Sequence, residues 1–373
     1  MASTLRHTTV LVDGIGSGGE RIPLVAWLLF RGARVAIAER RSPEVCAPLV
    51  RRVEERLKKG ARDGREYEHL RARCEWFYGG SRAPHNADVV VRTAADEAGL
   101  FFAHRRGGVV GVTGLHGKTT AAIWAAHLIG DAVVAGHSPE RSLFSAIDEG
   151  RKVVVAEFPT VLARTMPAVR SVVRVGDAGD LAGFDAETFV ARWGKHNLPA
   201  GHAAVAVARA AGASDARIAS RLATLPEVSD RQEIVHQDAR CVAVNDAAAV
   251  TPEHGVAAIE RWGGPTTILV AGGGGARGAY AAWADAVRSH IRRTNLILVS
   301  GGATRSMREA LGAWGVGVRA YESLQAACAA AQRRAGVYVS SVILFSPAAD
   351  VSGGSTDIRE RGRQFNAFVE ERS

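Results

Sequence analysis

Three features of the sequence predict an α/β protein. Short apolar runs recur along the whole chain, at 8–13, 33–38, 109–113 and 266–270 among others, and several stop at glycine before a helix-length segment begins. That is the rhythm of strand, turn and helix repeated around parallel sheets. Glycine accounts for 41 of 373 residues and 47% of the chain is hydrophobic, which suits buried strands joined by tight turns. The length allows two or three domains, each with its own core. The reading is three consecutive Rossmann-like α/β domains, residues 1–106, 107–226 and 227–373, the central one with a P-loop-type phosphate turn.

Composition excludes several function classes. The net charge of +9 invites a nucleic-acid partner, but only five of the 47 basic residues are lysine and the arginines are spread along the chain. The densest cluster, 51–73, alternates with glutamates and reads as a solvated helix face. No nucleic-acid partner is expected. The apolar run 24–30 is far shorter than the roughly 20 residues a membrane-spanning helix needs, and with a strand already under way at residue 8 no signal peptide is expected. Cys46, Cys74, Cys241 and Cys328 are too scattered for a zinc knuckle or a redox pair. A cytoplasmic monomer, away from membranes, is the expectation.

Taken in order, the strand at 8–13 runs into Gly14-Ile-Gly-Ser-Gly-Gly19 and an apolar helix through Phe30, and the next strand ends in Glu39-Arg40-Arg41. Such a turn is a weak signal by itself; with an acidic residue about twenty positions on it leaves a dinucleotide-binding reading open. A single long charged helix is expected over 48–73, then strands near 75–78 and 88–92.

The central stretch is Val109-Val-Gly-Val-Thr-Gly-Leu-His-Gly-Lys-Thr-Thr120, followed by the apolar helix 121–129. Strand, glycine turn and helix aim successive backbone N–H groups at one point, where the helix dipole also favours an anion. Lys118 would reach outer phosphates, and the hydroxyl of Thr119 or Thr120 would help hold Mg²⁺. Position 112 is Val where the generic loop has glycine, so the match is to Thr-Gly-x-x-Gly-Lys-Thr-Thr. Glu157 ends the apolar strand 152–158, a suitable place for a hard-cation ligand. Beyond 226, strands are expected near 232–236, 241–244, 266–270, 296–299 and 342–345.

This loop resembles that of the Mur ligases and folylpolyglutamate synthetases. The resemblance extends over all three domains through Gly14-Ile-Gly-Ser-Gly-Gly19 with Glu39-Arg40-Arg41, Gly194-Lys-His-Asn197, Asn245-Asp246, the turn 269–278, Leu344-Phe-Ser-Pro-Ala348 and Arg359-Glu-Arg-Gly-Arg-Gln-Phe365. Within the family the D-glutamate-adding ligases of peptidoglycan synthesis are the nearest pattern, here trimmed and divergent.

The resemblance implies an ATP-dependent, ADP-forming ligase. It joins a donor carboxylate, of the UDP-linked type, to an amino-acid amine through an acyl phosphate, with ATP and Mg²⁺. By position, Lys118, Glu157 and Arg231 are catalytic. Gly114, Gly117, Lys118, Thr119, Thr120, Asn197, Arg231 and Asp246 bind the nucleotide, and Thr119 and Glu157 the metal. Gly14, Gly16, Ser17, Glu39 and Arg41 are assigned to the donor, and Arg277 and Ser346 to the acceptor.

Departures from the pattern carry information. A histidine metal ligand is expected after 171–175, where Gly176-Asp-Ala-Gly-Asp180 stands, and no lysine occupies the place of a carbamylated one. One Mg²⁺ is therefore expected. An acceptor-binding lysine is replaced by Ala248. A specialised-metabolite ligase with a different amine, and a nucleotide-binding relative without catalysis, are the alternatives; an oxidoreductase leaves the phosphate loop and the terminal signature unexplained.

Overall fold

Alternation of buried strands and helices builds the N-terminal sheet from β1 (Thr9–Asp13), α1 (Ile22–Phe30), β2 (Arg34–Glu39), α2 (Pro43–Gly60), α3 (Gly64–Arg71), β3 (Cys74–Tyr78), β4 (Val89–Val91) and α4 (Ala94–His104). The computed structural model describes residues 5–16, 19–79, 86–105, 108–114, 116–136, 142–147, 153–157, 171–276, 278–351 and 358–371. The four strands are parallel in the order β3-β2-β1-β4. Helix α1 is buried from Ile22 to Leu29, so its apolar composition runs all round rather than along one stripe.

The single helix expected over 48–73 is two helices. The Asp63 side chain accepts the Glu66 N–H at 2.8 Å and so starts α3 afresh after Gly60, because an aspartate that satisfies an orphan helix N–H favours a new start over continuation. Helix α4 opens on a reciprocal capping box between Thr93 and Asp96.

A second parallel sheet follows: β5 (Val109–Thr113), α5 (Lys118–Ile129), β6 (Ala132–Ala135), β7 (Val153–Glu157) and β8 (Val172–Arg174), in the order β6-β7-β5-β8. Helices α6 (Ala186–Trp193), α7 (Leu198–Ala210) and α8 (Asp215–Leu222) complete it. The buried face of α7 is mostly alanine and glycine, which lets it lie close against α5. Trp124 of α5 packs edge-on to Phe189 and donates its indole N–H to Pro226 O at 3.0 Å. One apolar cluster joins Trp27 and Phe101 to Phe144 and Ala135, so the first two sheets share core residues.

The chain divides into two compact units at Pro226 and Glu227. The second contains β9 (Glu233–Gln237), β10 (Cys241–Asn245), α9 (Pro252–Trp262), β11 (Thr267–Gly272), α10 (Ala281–His290), β12 (Leu296–Val299), α11 (Gly302–Leu311), β13 (Ala320–Tyr321), α12 (Leu324–Ala335), β14 (Ser341–Phe345) and α13 (Ile358–Glu370). Its sheet order is β13-β12-β11-β14-β10-β9, parallel except for β9, which pairs antiparallel with β10. Separate apolar clusters fill its two faces, one around Trp283 and Leu344, the other around Phe345 and Phe365.

The architecture is thus mixed α/β with parallel sheets. Crevices at the carboxyl ends of such strands are where ligands bind.

Candidate functional site

The turn after β5 is shaped by two glycines. Gly114 has φ 138° and Gly117 φ 76°, both in the region that disfavours side chains. A Cβ at Gly114 would stand 3.1 Å from the Val175 side chain, and one at Gly117 would stand 3.3 Å from Val175 and 3.5 Å from Ala200 of α7. Helix α5 then starts at Lys118 with no side-chain cap and no acidic residue in its first turn. Its first N–H groups have no acceptor within the helix, and the positive end of the helix dipole faces the turn. Lys118 folds back and donates from Nζ to Gly114 O at 2.8 Å, laying its ammonium over the loop. Thr119 is half-buried while Thr120 is turned inward, 6% exposed.

Two further expected residues stand at the ends of elements that pack beside this turn. Strand β7 lies beside β5 with Glu157 in register with Val112, so the glutamate's backbone ends level with the start of the turn; the Glu157 side chain lies outside the described residues. Asn197 stands at the start of α7 and donates from Nδ2 to Trp193 O at 2.8 Å. Among the described residues no group of three or more His, Cys, Asp or Glu side chains could hold a metal ion.

The glycines after β1 sit differently. Gly14 and Gly16 have φ 78° and 88°, but Gly14 N–H donates to Ala38 O at 2.7 Å and Ile15 N–H to the Glu39 carboxylate at 3.4 Å. Arg41 closes this corner, donating from Nη2 to Glu39 and to Gly16 O at 3.1 Å. Its guanidinium holds the Glu39 carboxyl below the usual carboxylate range. Ser17 lies outside the described residues.

In the second unit, Arg231 lies on a turn between two left-handed residues, Asp230 (φ 64°) and Gln232 (φ 51°). Asp246 follows β10 and is only 5% exposed. One of its oxygens accepts the Gln232 N–H at 3.2 Å and the other the Ser346 hydroxyl at 2.7 Å. Burial pushes its pKa up to about 7, against the lowering influence of Ser346, Arg231 and Arg361. Ser346, expected at the acceptor, is fully buried with its hydroxyl committed to Asp246. Arg277 lies outside the described residues.

The terminal Glu-Arg-Gly signature, which the sequence marks without assigning it a task, has a structural one. Arg361 reaches out from α13 to donate to Ala247 O and Ala349 O, each at 2.9 Å, tying the turns after β10 and β14 together. Gly362 is glycine because a Cβ there would run into Asp230 Oδ1, and Phe365 stacks on Phe345 at 5.1 Å. The Arg-Gly-x-x-Phe spacing, one helix face of cation, gap and ring, is the signal in the sequence that points to this role.

The loop's chemistry fits a polyphosphate: a helix N-terminus without a side-chain cap, glycines admitting close approach, and one lysine beside them. The hydroxyl of Thr119, with a glutamate on the neighbouring strand end, is a hard-oxygen set of the kind Mg²⁺ takes.

No family model matches the chain. It is 33% identical over 187 residues to UDP-N-acetylmuramoylalanine--D-glutamate ligase of Chlorobium phaeobacteroides, covering 50% of this chain and 39% of that protein. It is 29% identical over 246 residues to the ligase of that name from Paramagnetospirillum magneticum, covering 65% and 52% respectively. The chain therefore aligns with about half or less of the length of the curated relatives it matches.

Among solved structures, MurF ligase of Thermotoga maritima in complex with ADP matches over 100% of both chains with TM-score 0.53 and 14% identity. A pseudomurein peptide ligase type C from Methanothermus fervidus covers 98% of this chain and 100% of its own, with TM-score 0.52 and 13% identity. The likeness to the Mur ligases inferred from sequence is borne out, and the fold is theirs.

Proposed function

We propose that the chain is an ATP-dependent, ADP-forming amide ligase of the Mur type, built as three domains at 1–106, 107–226 and 227–373. The observation that supports this most is the β5–α5 turn, a phosphate cradle with Lys118 above it and Thr119 at its rim. ATP with Mg²⁺ would supply the phosphoryl group that activates a donor carboxylate toward an amine.

The protein's part is positioning and electrostatics. Gly114 and Gly117 let backbone N–H groups approach the phosphates, Lys118 and Arg231 are assigned to the charge that develops during transfer, and Thr119 and Glu157 to one Mg²⁺. Asn197 is assigned to the base. The corner made by Glu39 and Arg41 beside Gly14 and Gly16 is assigned to the donor.

The acceptor reading departs from D-glutamate. Ala248 is neutral and 7% exposed, and Ser346 already serves Asp246. Two places that the resemblance gives to acceptor carboxylates thus supply neither a cation nor a hydroxyl, and an unpaired buried charge costs several kcal/mol. The preferred amine is a monocarboxylic or less polar one.

ADP release from ATP, measured across a matrix of carboxylates and amines, tests both statements. ADP is expected only where a carboxylate and an amine are present together, and not with the pair D-glutamate and UDP-N-acetylmuramoyl-L-alanine. Binding of ATP without turnover under every pairing would leave a non-catalytic relative instead. Efficient release with D-glutamate would overturn the acceptor assignment alone.

A further inference from the structure

Arg231 lies on a stretch of backbone that needs outside support. Both flanking residues, Asp230 and Gln232, are non-glycine and left-handed, and such strain persists only where the surroundings over-determine it. The support comes from the exit of β10. Asn245 donates from Nδ2 to Asp230 Oδ1 at 2.9 Å, and Ala248 N–H donates to Asp230 O at 2.8 Å. Asp246 completes the clamp through the Gln232 N–H, while its second oxygen is held by Ser346 at the exit of β14.

We propose that Asp246 is a positioning residue: it fastens the turn Asp230–Gln232 to the end of β14 and so sets the direction of Arg231, instead of touching the nucleotide itself. The proposal rests on the reading of Arg231 as a phosphate-charge residue. Two features of the carboxylate favour it. Both carboxylate oxygens already accept hydrogen bonds inside the protein, and the group is nearly closed to solvent. A carboxylate kept in such a place against the cost of burial is commonly retained for function. The charged groups that act on it are Arg231, Arg361 and Arg261.

The test uses the full chain with Asp246→Asn, Ser346→Ala, Arg231→Ala, and the pair Asp246→Asn with Arg231→Ala. Amide hydrogen exchange is read at Gln232, and ATP affinity by calorimetric titration in the presence of Mg²⁺. Exchange at Gln232 should accelerate roughly tenfold in Asp246→Asn, with α9 and α12 unchanged. ATP affinity should fall alike, about tenfold, in Asp246→Asn and Arg231→Ala, and no further in the pair.

Ser346→Ala should give the same pattern more weakly, and it keeps the test open if Asp246→Asn does not fold. An unchanged Gln232 amide overturns the proposal. So does an equal additional loss of ATP affinity in the Arg231→Ala background, which would make Asp246 a direct nucleotide contact. Full ATP affinity and turnover in Arg231→Ala alone shows that the reading of Arg231 has failed, and the proposal falls with it while the clamp remains measurable by exchange.

Discussion

The turn from β5 to α5 and the turn from β11 to α10 are both glycine-rich, and both carry the chain from a buried strand into a helix, yet they use glycine for opposite ends. After β11 the backbone N–H groups are consumed: Gly272 donates to Pro347 O at 2.9 Å, Gly273 to Val299 O at 2.8 Å and Gly275 to Asp350 O at 3.0 Å. A Cβ at Gly274 would run into Asp350 O, and one at Gly301 into the backbone of Gly273. Glycine there lets backbone pack on backbone. After β5, left-handed glycines at 114 and 117 curve the chain into a helix start that has no side-chain cap, with the Lys118 ammonium folded back onto Gly114 O. A run of glycines is thus uninformative until the destination of its amides is known.

The largest expected effect separates the two turns by chemistry. Lys118→Ala should lower ATP turnover at least a hundredfold, about 3 kcal/mol of lost charge stabilisation, with little change in melting temperature because the lysine is half-buried on a loop-to-helix turn. Wild-type turnover in the folded variant would remove the loop from the mechanism.

Gly274→Ala tests the other turn. Since the added methyl meets backbone oxygen rather than a flexible side chain, we expect a loss of about 2–3 kcal/mol in denaturant unfolding. A loss below about 0.5 kcal/mol, the size of a surface substitution, would mean the close packing after β11 is not what requires glycine.

The third prediction concerns pH. Asp246 has its folded pKa raised from 3.8 to about 7, so the folded state holds a proton over that window that the unfolded state has released. Stability should therefore fall as pH rises from about 4 to about 7, by at most about 1.4 kcal/mol per pH unit for one proton. Asp246→Asn should flatten that slope and gain relative stability above pH 7, measured by denaturant melts across the range. Parallel slopes in the two proteins would contradict the burial argument.

The smallest effect is expected after β1. Gly14 has φ 78°, and no heavy atom lies within 4 Å of the place a Cβ would take there, so Gly14→Ala should cost only the left-handed strain, about 1 kcal/mol. A loss as large as that of Gly274→Ala would place a close neighbour there.

What can be read from the chain alone follows from how local each feature is. The β5–α5 turn is legible because strand, glycines, lysine and helix start fall within a dozen residues, each with a strong preference of its own. The break at Asp63 is hidden inside a charged stretch whose composition suits helix on both sides. Strand β13, only two residues long, is too short to show a period. The Asp246–Ser346 pair joins positions 100 apart, and Arg361 reaches Ala247 over 114; no spacing announces partners brought together by the sheet. That is why Ser346, which the sequence directs toward a substrate, faces Asp246 instead.

On the proposed function the β5–α5 turn holds the nucleotide and the other two glycine turns do not. Amide hydrogen exchange of the full chain with and without saturating ATP and Mg²⁺ addresses it directly. Protection should rise across 111–122 while 12–20 and 270–280 stay as they are in the free protein. Protection that appears in either of those two turns, with 111–122 unaltered, would contradict the account.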